Sequence, residues 1–320
     1  MNRKRKEYIR SCEISEVCRV SLGGIEQKIL IESYRKGAPV LLFLHGGPGF
    51  PIPFCVGARG LFPEVTKKFT AVYWDQLGCG ANRYPLNDRF RTDDFVRMTE
   101  QLVRYLKGRF PAEKLYLFGI SWGSVLSLKT ATALPDLIDG VFAAGQILLP
   151  PLRSEAFFDA VERSSAPEKV KARMREIANC AAPDPKQIAL IFRTARKYTN
   201  AYGGNGSPNG INPVKEIFAS KDYRFSDALA CFVNGYRKSA SLMKELSVID
   251  LRREFANVRV PYTVFGGTED LVTPVKDVQA LFSELGSVFL TCVVAENEGH
   301  IPSQRVMEEM FAALAETAGV

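Results

Sequence analysis

The chain has 320 residues, 46% of them hydrophobic and 24% charged. That is the balance of a soluble globular protein long enough for one large core with an insertion, and it excludes a disordered or fibrous chain. Of the net charge of +7, the first ten residues hold a large share in Arg3, Lys4, Arg5, Lys6 and Arg10 against Glu7, and the nearly balanced remainder argues against a nucleic-acid-binding face.

In chain order, the basic tip is expected to be solvated and mobile. Residues 17–21 and 25–34 are β-rich and joined at Gly23-Gly24, the pattern of a hairpin. Val40–Leu44 and residues 71–74 are continuous apolar runs, as in strands buried on both faces of a parallel sheet. In residues 92–107, Phe95, Met98, Leu102 and Leu106 recur at helical spacing behind Thr92 or Asp93 as cap, which predicts a crossover helix. Residues 115–118 read as the next strand, 122–134 as a helix stopped by Pro135, and 140–144 as another strand. From about 146 to 255 the pattern turns helix-rich and is broken by prolines. Strands are expected again at 258–265 and 288–294, with helices at 275–285 and 304–317. The predicted organisation is a first core part over 1–145, a helical cap over 146–255 and a second core part over 256–320, the core being a mostly parallel sheet with helices on both faces.

Gly119-Ile120-Ser121-Trp122-Gly123 follows the strand at 115–118 and precedes a helix. This is a G-x-S-x-G match in the strand, turn and helix setting that a nucleophile needs, because the sharp turn lifts the serine hydroxyl above the sheet. An idle serine in a glycine-rich turn is the plainer alternative. His45-Gly46-Gly47-Pro48-Gly49 follows the Val40–Leu44 strand, where glycines allow backbone N–H groups to approach a ligand. The oxyanion donors are therefore expected to be the N–H groups of Trp122 and Gly47, with His45 and Gly46 as loop support. A phosphate loop is excluded, since the turn lacks the length and lysine of G-x-x-x-x-G-K-[ST].

Only two histidines occur, His45 and His300, so the general base is one of them. His45 ends an early strand and suits a bracing role. His300 lies in a loop after the last strand, where it can reach the serine. The acid should stand between the two in chain order, and Asp270 is the choice, with Glu269 the runner-up and a helix-capping role the plainer reading. Catalysis is thus expected from Ser121, Asp270 and His300.

With these residues in place, the chain resembles the proline iminopeptidase branch of the α/β-hydrolase fold. The resemblance is carried by His45-Gly46-Gly47-Pro48-Gly49, by Trp74-Asp75-Gln76-Leu77-Gly78-Cys79-Gly80, by Ser121-Trp122-Gly123, by Gly267 through Asp270 with Pro274, and by Gly299-His300. It implies an α/β-hydrolase fold with an inserted helical cap and a serine hydrolase that cleaves an amide or ester through an acyl-enzyme. It also implies acidic residues in the cap and beside the catalytic acid that bind a substrate amine. Here the cap offers only Asp227, and Leu271 follows the acid. An esterase on the same triad is the alternative, and a non-catalytic ligand-binding module the remote one. Ser121 argues against dehalogenases and epoxide hydrolases of this fold, which use an aspartate nucleophile.

Seven scattered cysteines, Cys12, Cys18, Cys55, Cys79, Cys180, Cys231 and Cys292, suit reduced thiols better than bridges or zinc. No metal or cofactor is expected. No apolar run is long enough for a membrane span or signal core, so the expected setting is the cytoplasm and the expected partner a small-molecule or short-peptide substrate, without nucleic acid or membrane.

Overall fold

The computed structural model describes residues 3–48, 59–111, 113–203, 218–233 and 239–320, with the backbone alone at 228 and 231–233. Eight strands form one sheet in the order β1-β2-β4-β3-β5-β6-β7-β8. They are β1 Ile14–Leu22, β2 Ile25–Ser33, β3 Val40–Leu44, β4 Thr70–Tyr73, β5 Leu115–Ile120, β6 Gly140–Ala144, β7 Tyr262–Gly267 and β8 Leu290–Ala295. The pairs β1·β2 and β2·β4 are antiparallel and all the others parallel.

The hairpin predicted at Gly23-Gly24 is present, with Leu22 opposite Ile25 and both glycines at positive φ, 60° and 75°. Such a two-residue turn matches the twist of its strands and is open to glycine without steric cost. The apolar runs of β3, β4, β5 and β6 are buried almost throughout. Helices Thr92–Arg109 and Trp122–Ala133 cover one face with Phe95, Leu102, Val125 and Leu128. Helix Gln304–Ala318 covers the other with Met307, Met310 and Leu314 against Phe43, Tyr73 and Phe118.

Between β6 and β7 run the helices Glu155–Arg163, Glu168–Ala178, Pro185–Tyr198, Phe225–Val233, Ala240–Leu246 and Arg252–Phe255. Phe157, Val161, Met174, Ile177, Ile191 and Ala195 among them, with Leu152 just before the first, form an apolar cluster of their own, which meets the core at Val272.

Three expectations need correction. The basic tip is a helix, Arg3–Ser11, docked on the core. It turns Arg5, Tyr8 and Ile9 inward at helical spacing and its other cations outward. Arg5 Nε donates to Arg59 O at 2.7 Å, the Tyr8 hydroxyl lies 2.6 Å from Thr66 Oγ1, and the Tyr8 ring stacks on Tyr34. The strand expected at 258–265 begins at Tyr262, because Pro261 cannot donate to a ladder and so precedes it. The helix at 92 is capped by neither Thr92 nor Asp93. Arg91 is the cap residue, with its N–H donating to Asp94 Oδ2 at 2.8 Å, while the Thr92 hydroxyl donates to Glu245 Oε2 at 2.6 Å.

Candidate active site

Parallel register brings the carboxyl ends of five adjacent strands to one edge. Leu44 pairs with Gly119, Ile120 with Ala144, Ala144 with Phe265 and Gly267 with Ala295. The segments that leave those ends carry His45, Ser121, Gly145, Asp270 and His300. Such an edge is where open α/β sheets place their ligand sites.

Ser121 occupies φ 51°, ψ −116°, a conformation that L-residues avoid and that marks a strained functional turn. Its N–H donates to Ala144 O at 2.9 Å and its carbonyl accepts from Ser124 N at 2.8 Å, which fixes the turn between β5 and the following helix. Two glycines make the turn possible. A Cβ on Gly123 would lie 1.8 Å from Leu44 O, and one on Gly119 would lie 2.7 Å from Gly123 O.

Asp270 is buried and its carboxylate is filled. Oδ1 accepts from the N–H groups of Val272 and Thr273, each at 2.8 Å, and Oδ2 accepts from Thr273 Oγ1 at 2.7 Å and His300 Nδ1 at 2.9 Å. Oδ1 thus closes the turn at 270–273 and Oδ2 meets the histidine, whereas helix Val275–Leu285 starts at Pro274 without a side-chain cap, so the capping reading is not realised. Glu269 is exposed.

His300 is 7% exposed. Its Nδ1 also lies 3.2 Å from Thr273 Oγ1, and its ring rests on Gly145, where a Cβ would approach Cε1 to 2.9 Å. With Nδ1–H given to the carboxylate, Nε2 is left as the basic nitrogen. Nε2 makes no hydrogen bond among the described residues, the Ser121 hydroxyl included. Both residues approach the end of β6, since Ser121 N bonds the carbonyl of Ala144 and His300 packs on the next residue, Gly145.

His45 is elsewhere engaged. It is 2% exposed, its Nδ1 lies 2.8 Å from Gly46 O, and its Nε2 accepts from Gln76 N at 2.9 Å. Burial lowers its pKa to about 4, so it is neutral, with the proton on Nδ1. Gln76 extends the brace, since Nε2 donates to His45 O at 3.0 Å and Oε1 accepts from the buried Trp122 indole at 2.8 Å. The turn after β3 is thus tied to the helix after Ser121. Gly46 lies against the serine, with a Cβ there falling 3.5 Å from Ser121 Cβ, and Gly47 is exposed beside it at φ 127°. Trp122 is the first residue of its helix, a position whose N–H has no intrahelical acceptor. Gly49 lies outside the described residues, as does Cys55, and the Cys231 side chain is not described. The other five cysteines are free thiols.

Thr273, Gln76 and Gly145 were not foreseen as site residues. Thr273 carried a signal in the D-x-x-T-P spacing behind Asp270, and Gln76 in the D-Q pair that opens its glycine-rich turn. Gly145 carried none, because its role comes only from what lands on it.

The one cap carboxylate offered for a substrate amine is occupied. Asp227 Oδ1 accepts from Arg83 Nε at 2.9 Å, and Oδ2 accepts from Arg224 N at 3.0 Å. Leu271 packs with the apolar cluster of the inserted helices. Among the described residues, no helix is long and apolar enough to cross a membrane.

The alpha/beta hydrolase fold family profile matches residues 39–303. A probable aminopeptidase of Bacillus subtilis, YbaC, is 27% identical over 288 residues, which cover 88% of this chain and 90% of that protein. A proline iminopeptidase of Neisseria meningitidis is 42% identical over 118 residues, 36% of this chain and 34% of the relative. Among solved structures, the proline iminopeptidase of Mycobacterium smegmatis superposes with a TM-score of 0.63 at 17% identity, covering 95% of this chain and 98% of its own.

Proposed function

The chain belongs to the α/β-hydrolase fold family and is a hydrolase, and from that premise we propose that Ser121, His300 and Asp270 are its catalytic triad, cleaving an amide or ester of a small molecule or short peptide. In this reading Ser121 Oγ attacks the carbonyl carbon while its proton passes to His300 Nε2. The oxyanion is received by the N–H groups of Trp122 and Gly47. Collapse breaks the bond to the leaving amine or alcohol, which takes the proton from Nε2. Water then attacks the acyl-enzyme, giving its proton to Nε2, and the carboxylic acid departs as Ser121 is reprotonated. Asp270 keeps Nδ1–H oriented and stabilises the imidazolium throughout.

The observation that carries the proposal is the 2.9 Å contact from His300 Nδ1 to Asp270 Oδ2 at the same sheet edge as the strained serine turn. The aminopeptidase names of the relatives support an N-terminal prolyl or similar residue as the acyl group. The ion pair of Asp227 with Arg83 favours the second reading, an esterase, because a substrate ammonium needs an unspent carboxylate when taken out of water. We place residues 146–255 as the cap over residues 1–145 and 256–320, on the strength of the separate apolar cluster, and the protein in the cytoplasm, on its odd number of scattered cysteines, of which the five described are free thiols.

A fluorophosphonate probe is expected to label Ser121, and Ser121→Ala or His300→Ala to lower turnover by several orders of magnitude. Full activity in Ser121→Ala would sink the assignment. Comparing proline β-naphthylamide with short p-nitrophenyl esters decides the substrate, since cleavage of esters alone removes the peptidase reading.

A further inference from the structure

The loop that carries His300 is fixed on the core side by Glu298, whose carboxylate accepts from Ser303 N and Oγ at 3.1 and 2.6 Å, and by Glu269 N donating to Glu298 O at 2.9 Å. Its other side is held by the inserted helices. Just after helix Pro185–Tyr198, the carbonyl of Tyr202 accepts from Ile301 N at 3.1 Å. The Tyr202 ring meets the His300 imidazole edge-on, with centroids 6.4 Å apart at 71°. Next to it the backbones of Gly203 and Gly299 touch. A Cβ on either would lie 2.4 Å from the other's Cα, and Gly203 stands at φ 59°. Three successive residues of one segment, 299–301, are thus matched by two of another, 202 and 203, with the imidazole at the centre.

We propose that Tyr202 is a positioning residue for His300, so that the seating of the inserted helices sets how well the base faces Ser121. This rests on Ser121, Asp270 and His300 carrying the chemistry. Asp270 and Thr273 fix the Nδ1 edge of the ring and Gly145 its underside. Tyr202 supplies the remaining restraint on rotation about the ring's attachment. A rotation of the imidazole moves Nε2 away from the serine, and misplacements of about 1 Å cost up to roughly a hundredfold in rate. The inserted helices would then tune the nucleophile, without any group of theirs entering the reaction.

The test measures the rate of fluorophosphonate labelling of the full chain across about pH 5 to 9, where an imidazole titrates. It compares wild type, Tyr202→Phe, Tyr202→Leu, Tyr202→Ala and Gly203→Ala. Tyr202→Phe keeps the ring and should label within about twofold of wild type. Tyr202→Ala, Tyr202→Leu and Gly203→Ala should label roughly 10- to 100-fold more slowly, with a displaced midpoint of the pH profile. Should Tyr202→Ala fail to fold, the Phe and Leu variants alone decide the matter. Wild-type rates and pH profile in the folded Ala and Leu variants would overturn the positioning role while leaving the triad intact. Equal losses in Phe, Leu and Ala with an unmoved pH midpoint would overturn it too, assigning the hydroxyl to substrate contact. Labelling that persists in Ser121→Ala removes the triad itself, and the positioning role falls with it.

Discussion

At Asp270 each carboxylate oxygen has two donors, and the division of labour follows from their type. Backbone N–H groups of Val272 and Thr273 pin Oδ1, and the mobile donors, Thr273 Oγ1 and His300 Nδ1, share Oδ2. The carboxylate is therefore aimed before the histidine is bound to it. Asp270→Asn preserves the volume but puts an NH₂ where an acceptor stood, or turns the imidazole to its other tautomer, and in the Ser-His-Asp template such a change costs roughly 10⁴ in kcat. Thr273→Val removes one donor to Oδ2 and should cost about tenfold, the worth of one hydrogen bond near 1.4 kcal/mol. Steady-state kinetics on an ester substrate checks both. Losses of equal size would mean that Asp270 acts only by holding its own loop.

At the scale of elements, the serine turn works because two glycines let a helix start directly beneath a neighbouring strand. Gly123 is the tighter, facing the backbone of Leu44, whereas Gly119 faces the Ser127 side chain at 2.4 Å as well as Gly123 O. Backbone cannot rotate aside, so Gly123→Ala should destabilise by about 3 kcal/mol or more, at the upper end of overpacking. Differential scanning calorimetry reads this directly, and a melting temperature within a degree or so of wild type would contradict the contact. The same elements show how far the sequence carried. β3, β6 and helix Val275–Leu285 fall on their expected limits, because continuous apolar runs and clear stops bound them. The pairing of Asp270 with His300 was legible from chain order and the scarcity of histidine, and the sharp turn at Ser121 from its motif. The docked helix Arg3–Ser11 was not, since six charges in ten residues hide the inward row of Arg5, Tyr8 and Ile9. Nor was Tyr202, whose contact with His300 joins positions 98 apart and leaves no local pattern.

Across the whole molecule, the segment after residue 217 is fastened to the core by polar contacts with Asp75 at their centre. Arg59 pairs with Asp222, Arg83 with Asp227, and the Tyr223 hydroxyl donates to Asp75 Oδ2 at 2.7 Å. Asp75 is fully buried, and although Ala81 N also donates to Oδ2 at 2.7 Å, Oδ1 has no partner among the described residues. Burial pushes its pKa from an ordinary 3.8 to about 6, with nearby Asp227 adding to the rise and Lys28 opposing it. Between those values the folded chain holds a proton that the unfolded chain has lost, so Asp75 stabilises the fold most below pH 3.8 and that contribution disappears as pH rises through about 6, by about 3 kcal/mol in all. His45 does the reverse over nearly the same span. Its pKa falls from 6.5 to about 4 on burial, so the unfolded chain holds the extra proton and stability rises with pH, again by about 3 kcal/mol. The two slopes oppose each other between pH 4 and 6 and largely cancel. Asp75→Asn removes one of them while keeping an acceptor for Tyr223 and Ala81. Its melting temperature relative to wild type should therefore climb as pH is raised from 4 to 7, by roughly 4 °C for a chain of this size, whereas a constant offset across that range would show that Asp75 is ionised in the fold throughout.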